Sequence, residues 1–175
     1  MGLTRNQFVI VAILLAGATL VVLNQTLLSP AFPSIMADLQ VDATTVQWLT
    51  SAYSLVEAIV IPLSAYLVGR FPTRKLFIAG VSVFAIGSLL AAFAPFFGVL
   101  LLGRIFQAAS TGVVMPMVFT VILLVFPREK RGSAMGIVSL VIGFAPAVGP
   151  SVSGLLVESI GWHSLFVLRS EEHTS

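Results

Sequence analysis

Two ionisable side chains stand alone inside long apolar runs, and they are where chemistry is expected. Glu57 lies within Val46 to Val68, and Arg104 within Phe96 to Phe126. Thr50, Ser54, Glu57 and Ser64 recur at helical spacing, so on a helix they share one polar stripe. A carboxylate at membrane depth costs on the order of 3 kcal/mol on insertion scales. Such an acid can serve as a protonatable switch, as a cavity-facing anion that binds cationic substrate, or as a hydrogen-bond partner between helices. Arg104, Gln107 and Thr111 likewise share one face. Arg104 sits about 12 Å along its helix from Phe96 at about 1.5 Å per residue. That is within reach of the outer surface by snorkelling, but the shared face favours an inward polar stripe. Arginine does not give up its proton, so its role there is electrostatic.

A third pattern is steric. Gly136, Ser139, Gly143, Pro146, Ala147, Pro150 and Gly154 recur every three or four residues. Small residues on one face let helix backbones approach closely. Pro146 and Pro150 each remove a backbone donor, so the spacing predicts a kink and a packing hinge.

The elements that must position these residues follow from composition. The chain is 58% hydrophobic and 9% charged, with a mean hydropathy of +1.07. Soluble domains hold about 25% charged residues, so this chain lacks the polar side chains to cover a water-exposed surface. A spanning helix needs about 20 mostly apolar residues. Phe8 to Leu28, with helical continuation toward Ala37, is the first such run. Val46 to Val68, Leu76 to Ala94, Phe96 to Phe126 and Gly132 to Val157 are the next four, and Trp162 to Leu168 opens a sixth. The expected fold class is all-α: a polytopic transmembrane bundle with five full spans and the start of another. The first run is too long for a cleaved signal peptide. Cysteine is absent, which excludes disulfides and thiolate metal sites. Metal-ligand spacing, a nucleophile triad and a phosphate loop are all missing, so neither enzyme activity nor a cofactor is expected.

Basic residues set the orientation. Arg5 precedes the first run, Arg70, Arg74 and Lys75 follow the second, and Arg128, Lys130 and Arg131 follow the fourth. The alternate connections hold Asp38, Asp42, Glu158 and His163 and no Lys or Arg. Excess Lys and Arg marks the cytoplasmic side, which predicts a cytoplasmic amino terminus. The pI of 9.5 therefore reflects topology, with no nucleic-acid partner expected.

Several segments resemble motifs of the major facilitator superfamily. Arg104 to Pro116, R-I-F-Q-A-A-S-T-G-V-V-M-P, is similar to the span-four motif R-x-x-Q-G-x-G, with Ala108 and Ser110 replacing glycines. Gly143 to Gly154, G-F-A-P-A-V-G-P-S-V-S-G, resembles the span-five antiporter motif G-P-x-x-G-P-x-x-G-G through Pro146, Gly149, Pro150 and Gly154. In the family this motif marks exporters. Leu23 to Pro33, L-N-Q-T-L-L-S-P-A-F-P, resembles the span-one motif of the fourteen-span drug:proton antiporter branch, which carries an acid where Asn24 stands. Gly161, Trp162 and Phe166 resemble the opening of span six. Ala65 to Arg74, A-Y-L-V-G-R-F-P-T-R, is a weaker match to the cytoplasmic loop motif. Leu67 and Arg70 survive there, and Gly69 replaces the acid of a charge lock between the family's two halves.

The resemblance implies the N-terminal part of the major facilitator fold, built from inverted three-helix repeats, over residues 1–168. Its implied function is proton-coupled export of amphipathic, often cationic, drugs or toxic compounds across the cytoplasmic membrane, powered by the proton gradient. Its implied partners are the lipid bilayer, protons, the substrate and a C-terminal half of the same transporter. Glu57, Arg104, Gln107 and Asn24 are the residues assigned to proton coupling or substrate. Gly143, Pro146, Gly149, Pro150 and Gly154 form the antiporter motif, and Arg70, Arg74 and Lys75 the loop motif. The alternatives are an uptake symporter for a small nutrient, against which the Gly/Pro face speaks, and a membrane sensor or scaffold, against which the two intramembrane charges speak. Residues 169–175, R-S-E-E-H-T-S, match the translation of a common sequencing adapter. A non-native tail is expected there, and the native chain is expected to continue apolar after Leu168.

Overall fold

The computed structural model describes residues 5–160. Helix α1 (Arg5–Leu28) runs through a 3-10 turn (Ser29–Ala31) into α2 (Phe32–Leu39). Then follow α3 (Ala43–Arg70), α4 (Thr73–Ala92), α5 (Phe97–Val125) and α6 (Arg128–Ile160). Among the described residues there is no strand. Four stretches of the described residues are long and apolar enough to cross a membrane: Val11–Leu39, Ala43–Arg70, Thr73–Ala92 and Phe97–Val125. Helix α6, 33 residues long, is the fifth long helix, its hydropathy diluted by Gly, Pro, Ser and a basic first turn. The all-α polytopic expectation holds. Trp162 to Leu168 and the tail lie outside the described residues.

The α1–α2 rod, α3 and α6 extend past the apolar runs that announced them, whereas α4 starts earlier and stops two residues sooner, and α5 falls one residue short of its run at each end. Pro30 and Pro33 tighten the junction of α1 and α2 into a 3-10 turn without ending the rod. Gln40 ends it in the left-handed region at φ 53°, and its side-chain Nε2 donates to the carbonyl of Ala37 at 2.7 Å. Helix α3 starts three residues before Val46, because the Asp42 carboxylate accepts the Thr45 N–H at 2.7 Å. The hydrogen bonds from Thr45 hold the Asp42 carboxyl below its ordinary value, so this cap is lost only as pH falls through that lowered value.

The basic clusters belong more to helices than to loops. Arg70 closes α3, where a cation suits the helix dipole. Arg74 and Lys75 stand in the first turn of α4, and only Phe71 and Pro72 connect the two helices. Arg128, Lys130 and Arg131 open α6, four residues before the apolar run at Gly132, with Glu129 beside them in the same turn. Arg131 Nε also donates to the Phe126 carbonyl at 3.1 Å.

Helix α5 is the hub of the bundle and packs most extensively against α4 and α3, while α6 packs mainly on α1. The α4–α5 crossing requires glycine. A Cβ on Gly103 would meet the Gly87 carbonyl oxygen at 2.6 Å, and one on Gly87 would meet the Gly103 carbonyl oxygen at 2.7 Å. Gly112 of α5 is held as closely by Val60 of α3, at 2.8 Å. Two apolar clusters lie along the bundle. One gathers Leu28, Ala31, Ile35, Val46, Leu49 and Leu100 with Ala91, Ala92 and Ala94. The other gathers Leu14, Ala18, Ala134 and Val138 around Val114, Met117, Val118, Val121 and Ile122 of α5.

Gly103→Val is expected to force α4 and α5 apart. It should lower the stability of the purified full-length protein by about 1–3 kcal/mol, read as a fall in thermal midpoint. Gly132→Ala, where a Cβ meets open space, should leave the midpoint unchanged.

Candidate polar site among α1, α3, α4 and α5

Between the two apolar clusters lies a layer of buried polar side chains. Asn24 comes from α1, Tyr53 from α3, Ser88 from α4, and Arg104, Gln107 and Thr111 from α5. The α5 residues stand three and four apart, so one helix face delivers them together.

Arg104 is 2% exposed, which rules out the snorkelling alternative. Its Nη1 donates to Asn24 Oδ1 at 2.7 Å and to Gln107 Oε1 at 2.8 Å. Arginine has no acceptor, so both amides must present their oxygens to it. That choice points the Gln107 NH2 group toward α4, where Nε2 donates to Ser88 Oγ at 3.0 Å. The guanidinium carbon lies 4.3 Å from the centre of the Tyr53 ring, a cation–π contact. Thr111 Oγ1 donates its one proton to the Gln107 carbonyl at 2.9 Å. The Tyr53 hydroxyl is therefore the donor in its 2.6 Å bond with Thr111 Oγ1. Arg104 Nε has no acceptor among the described residues. The guanidinium is thus held by two neutral amide oxygens and an aromatic face, with a donor to spare.

Glu57 stands four residues after Tyr53 on α3 and is half-buried. Gln25 of α1 adjoins both Tyr53 and Glu57, and Glu57 lies within electrostatic reach of Arg104. Asn24, Arg104 and Gln107 thus meet directly, with Glu57 at the margin of the group. The polar stripe expected along α3 is not uniform. Ser64 is buried and bonds back to the Ile61 carbonyl at 2.6 Å, whereas Thr50 and Ser54 are exposed. The α3 residue that enters the layer is Tyr53, which sequence spacing passed over. Ser88 was missed as well.

The other expected sites stand apart. Arg70, Arg74 and Lys75 are exposed at the α3–α4 connection, and a Cβ at Gly69 would meet open space. Gly143 is exposed with open space around it. Pro146, Gly149, Pro150 and Gly154 lie on the backbone of α6, which runs as one helix through both prolines. Among the described residues no cluster could hold a metal ion.

Residues 14–169 match the Major Facilitator Superfamily domain. The chain belongs to the major facilitator superfamily. Among its relatives in the superfamily, an uncharacterised MFS-type transporter of Bacillus subtilis (strain 168), YcnB, is 53% identical over 163 residues, which cover 93% of this chain and 34% of YcnB. The lincomycin resistance protein LmrB of the same organism is 44% identical over 90% of this chain and 33% of its own length. The riboflavin transporter RibZ of Clostridioides difficile (strain 630) is 28% identical over 94% and 36%. This chain thus spans about a third of the length of these curated relatives. In fold it is similar to the crystal structure of a bacterial homologue of the human lysosomal transporter Spinster, inward-facing and unoccupied. That match has a TM-score of 0.76 at 19% identity and covers 98% of this chain and 41% of the other.

Asn24→Leu should leave Arg104 short of an acceptor and cost about 1–3 kcal/mol, seen as a lowered thermal midpoint. Adding Arg104→Met should recover part of the loss, because a buried charge with too few partners costs more than an apolar replacement.

Proposed function

We propose that this chain is the amino-terminal helix bundle of a proton-coupled exporter of amphipathic small molecules, cationic ones included, in the cytoplasmic membrane. In this reading residues 1–168 form the bundle, the amino terminus is cytoplasmic, and residues 169–175 are non-native. A C-terminal half closes the substrate cavity, and the proton gradient supplies the energy. The observation that carries the reading is the pairing of a buried arginine, held among the described residues by two amide oxygens and an aromatic ring, with a half-buried glutamate one turn from that ring. A cation fixed in an apolar interior costs several kcal/mol unless compensated. A scaffold gains nothing from retaining it. A transporter gains a fixed positive field against which protonation or cation binding at Glu57 can be set.

The resistance named for LmrB supports export. The exposed small-residue face at Gly136, Ser139 and Gly143 on α6 suits close contact with another helix. A second reading, transport of a metabolite, is favoured by the likeness to the riboflavin transporter RibZ. The carboxylate separates the two, because a cation exporter needs Glu57 for charge recognition.

In the full-length protein, Glu57→Gln should weaken transport of ethidium about tenfold while leaving that of neutral chloramphenicol within about twofold, about 1.4 kcal/mol of cation recognition. Loss of proton coupling for both compounds would assign Glu57 to the proton step. Unchanged transport and unchanged pH dependence for both would remove Glu57 from the mechanism.

A further inference from the structure

We infer that Tyr53 is a positioning residue that keeps the Arg104 guanidinium engaged away from Glu57, so that the carboxylate stays open to a cation in the cavity. The inference rests on the proposed reading of Glu57 as a cation-recognition group.

Tyr53 touches both Arg104 and Thr111. Its ring is 3% exposed and lies under the guanidinium at 4.3 Å. Its hydroxyl is fixed to Thr111 at 2.6 Å, and Thr111 is fixed to the α5 backbone at the Gln107 carbonyl. The side chain therefore cannot swing away from Arg104 about χ1 without breaking a buried hydrogen bond. Gly112 lets α3 come this close to α5, since a Cβ there would meet Val60 at 2.8 Å. The backbone approach, the hydroxyl bond and the ring contact place the same aromatic face beneath the same cation.

The consequence follows from the alternative open to Arg104. An arginine seeks a carboxylate in a dry interior, because a charge-assisted pair is about twice as strong as a neutral hydrogen bond. Glu57 is four residues from Tyr53, on the adjoining turn of α3, and Gln25 adjoins both. Its attraction is countered by Asn24 and Gln107 at Nη1 and by the π face of Tyr53. A desolvated cation–π contact is comparable in strength to a buried charged hydrogen bond. Without the ring, Arg104 loses one of the contacts that oppose the pull of Glu57. An Arg104–Glu57 ion pair would then neutralise the carboxylate that recognises substrate.

The test is a double-mutant cycle in full-length transporter, with ethidium as the cationic probe and chloramphenicol as the neutral one. Tyr53→Phe keeps the ring and should keep the KM for ethidium within about threefold of the parent. Tyr53→Leu and Tyr53→Met remove the ring. Each should raise the ethidium KM about tenfold, the equivalent of about 1.4 kcal/mol, with the chloramphenicol KM unchanged. In a Glu57→Gln background the same ring deletions should add no further change for ethidium. Additive effects in the two backgrounds, or equal losses for both probes, would show that Tyr53 only packs. A Tyr53→Phe variant as impaired as Tyr53→Leu would assign the effect to the hydroxyl and overturn the proposal. Both ring deletions failing to reach the membrane while Tyr53→Phe transports normally would also overturn it, because the ring would then be a folding requirement. A Glu57→Gln single variant that handles ethidium like the parent would reject the underlying reading of Glu57, separately from the role of Tyr53.

Discussion

A guanidinium buried to 2% exposure is the constraint around which the described bundle is arranged. Removing such a charge from water costs several kcal/mol unless its donors are met. Here no single helix meets them. Asn24 comes from α1, Gln107 from the arginine's own helix and the aromatic face from α3, while Ser88 on α4 fixes Gln107 in turn. Four helices must hold register for one side chain to be tolerated. The donor-only chemistry of arginine then propagates outward, setting both amide orientations and leaving Ser88 as the acceptor for Gln107.

The rest of the packing protects that layer. The Gly87–Gly103 contact brings α4 against α5 almost backbone to backbone, close enough for the short Ser88 side chain to reach Gln107. The same closeness lets Ser110 Oγ donate to the Gly80 carbonyl at 2.6 Å. The two apolar clusters lie on either side of the layer along the bundle. In a dry site a hydrogen bond or a fixed charge acts more strongly than in water, and a missing partner costs more.

The sequence made the helices legible because each apolar run is about as long as a bilayer needs, or longer. It was less informative about their ends. Asp42, Arg74 and Arg128 are polar, and a hydropathy run stops where a helix capped by a side chain or continued by a basic first turn does not. Arg104 and Gln107 were visible because their partner relation is local, three residues along one helix. Asn24 was visible only through a motif resemblance. Tyr53 and Ser88 left no comparable signal: an aromatic and a serine in apolar spans are ordinary, and their meaning depends on contacts 58 and 19 residues away in sequence. The α3 stripe failed for the related reason that helical spacing assigns residues to a face without saying what the face meets. Thr50 and Ser54 are exposed while Ser64 is buried.

On the proposed reading, Arg104 works through its shape as well as its charge: its Nη1 holds two amide oxygens while the guanidinium plane lies over the Tyr53 ring. A lysine would keep the charge and lose the planar contact and the reach, since an ammonium is a compact, strongly hydrated point charge. The most direct test is Arg104→Lys in the full-length protein reconstituted into liposomes, with transport driven by an imposed pH gradient and protein levels matched. The account predicts at least a tenfold loss of gradient-driven transport for cationic and neutral substrates alike. Transport at the parent rate with lysine at this position would contradict it, because a bare positive charge would then suffice and the four-helix cage would be packing alone.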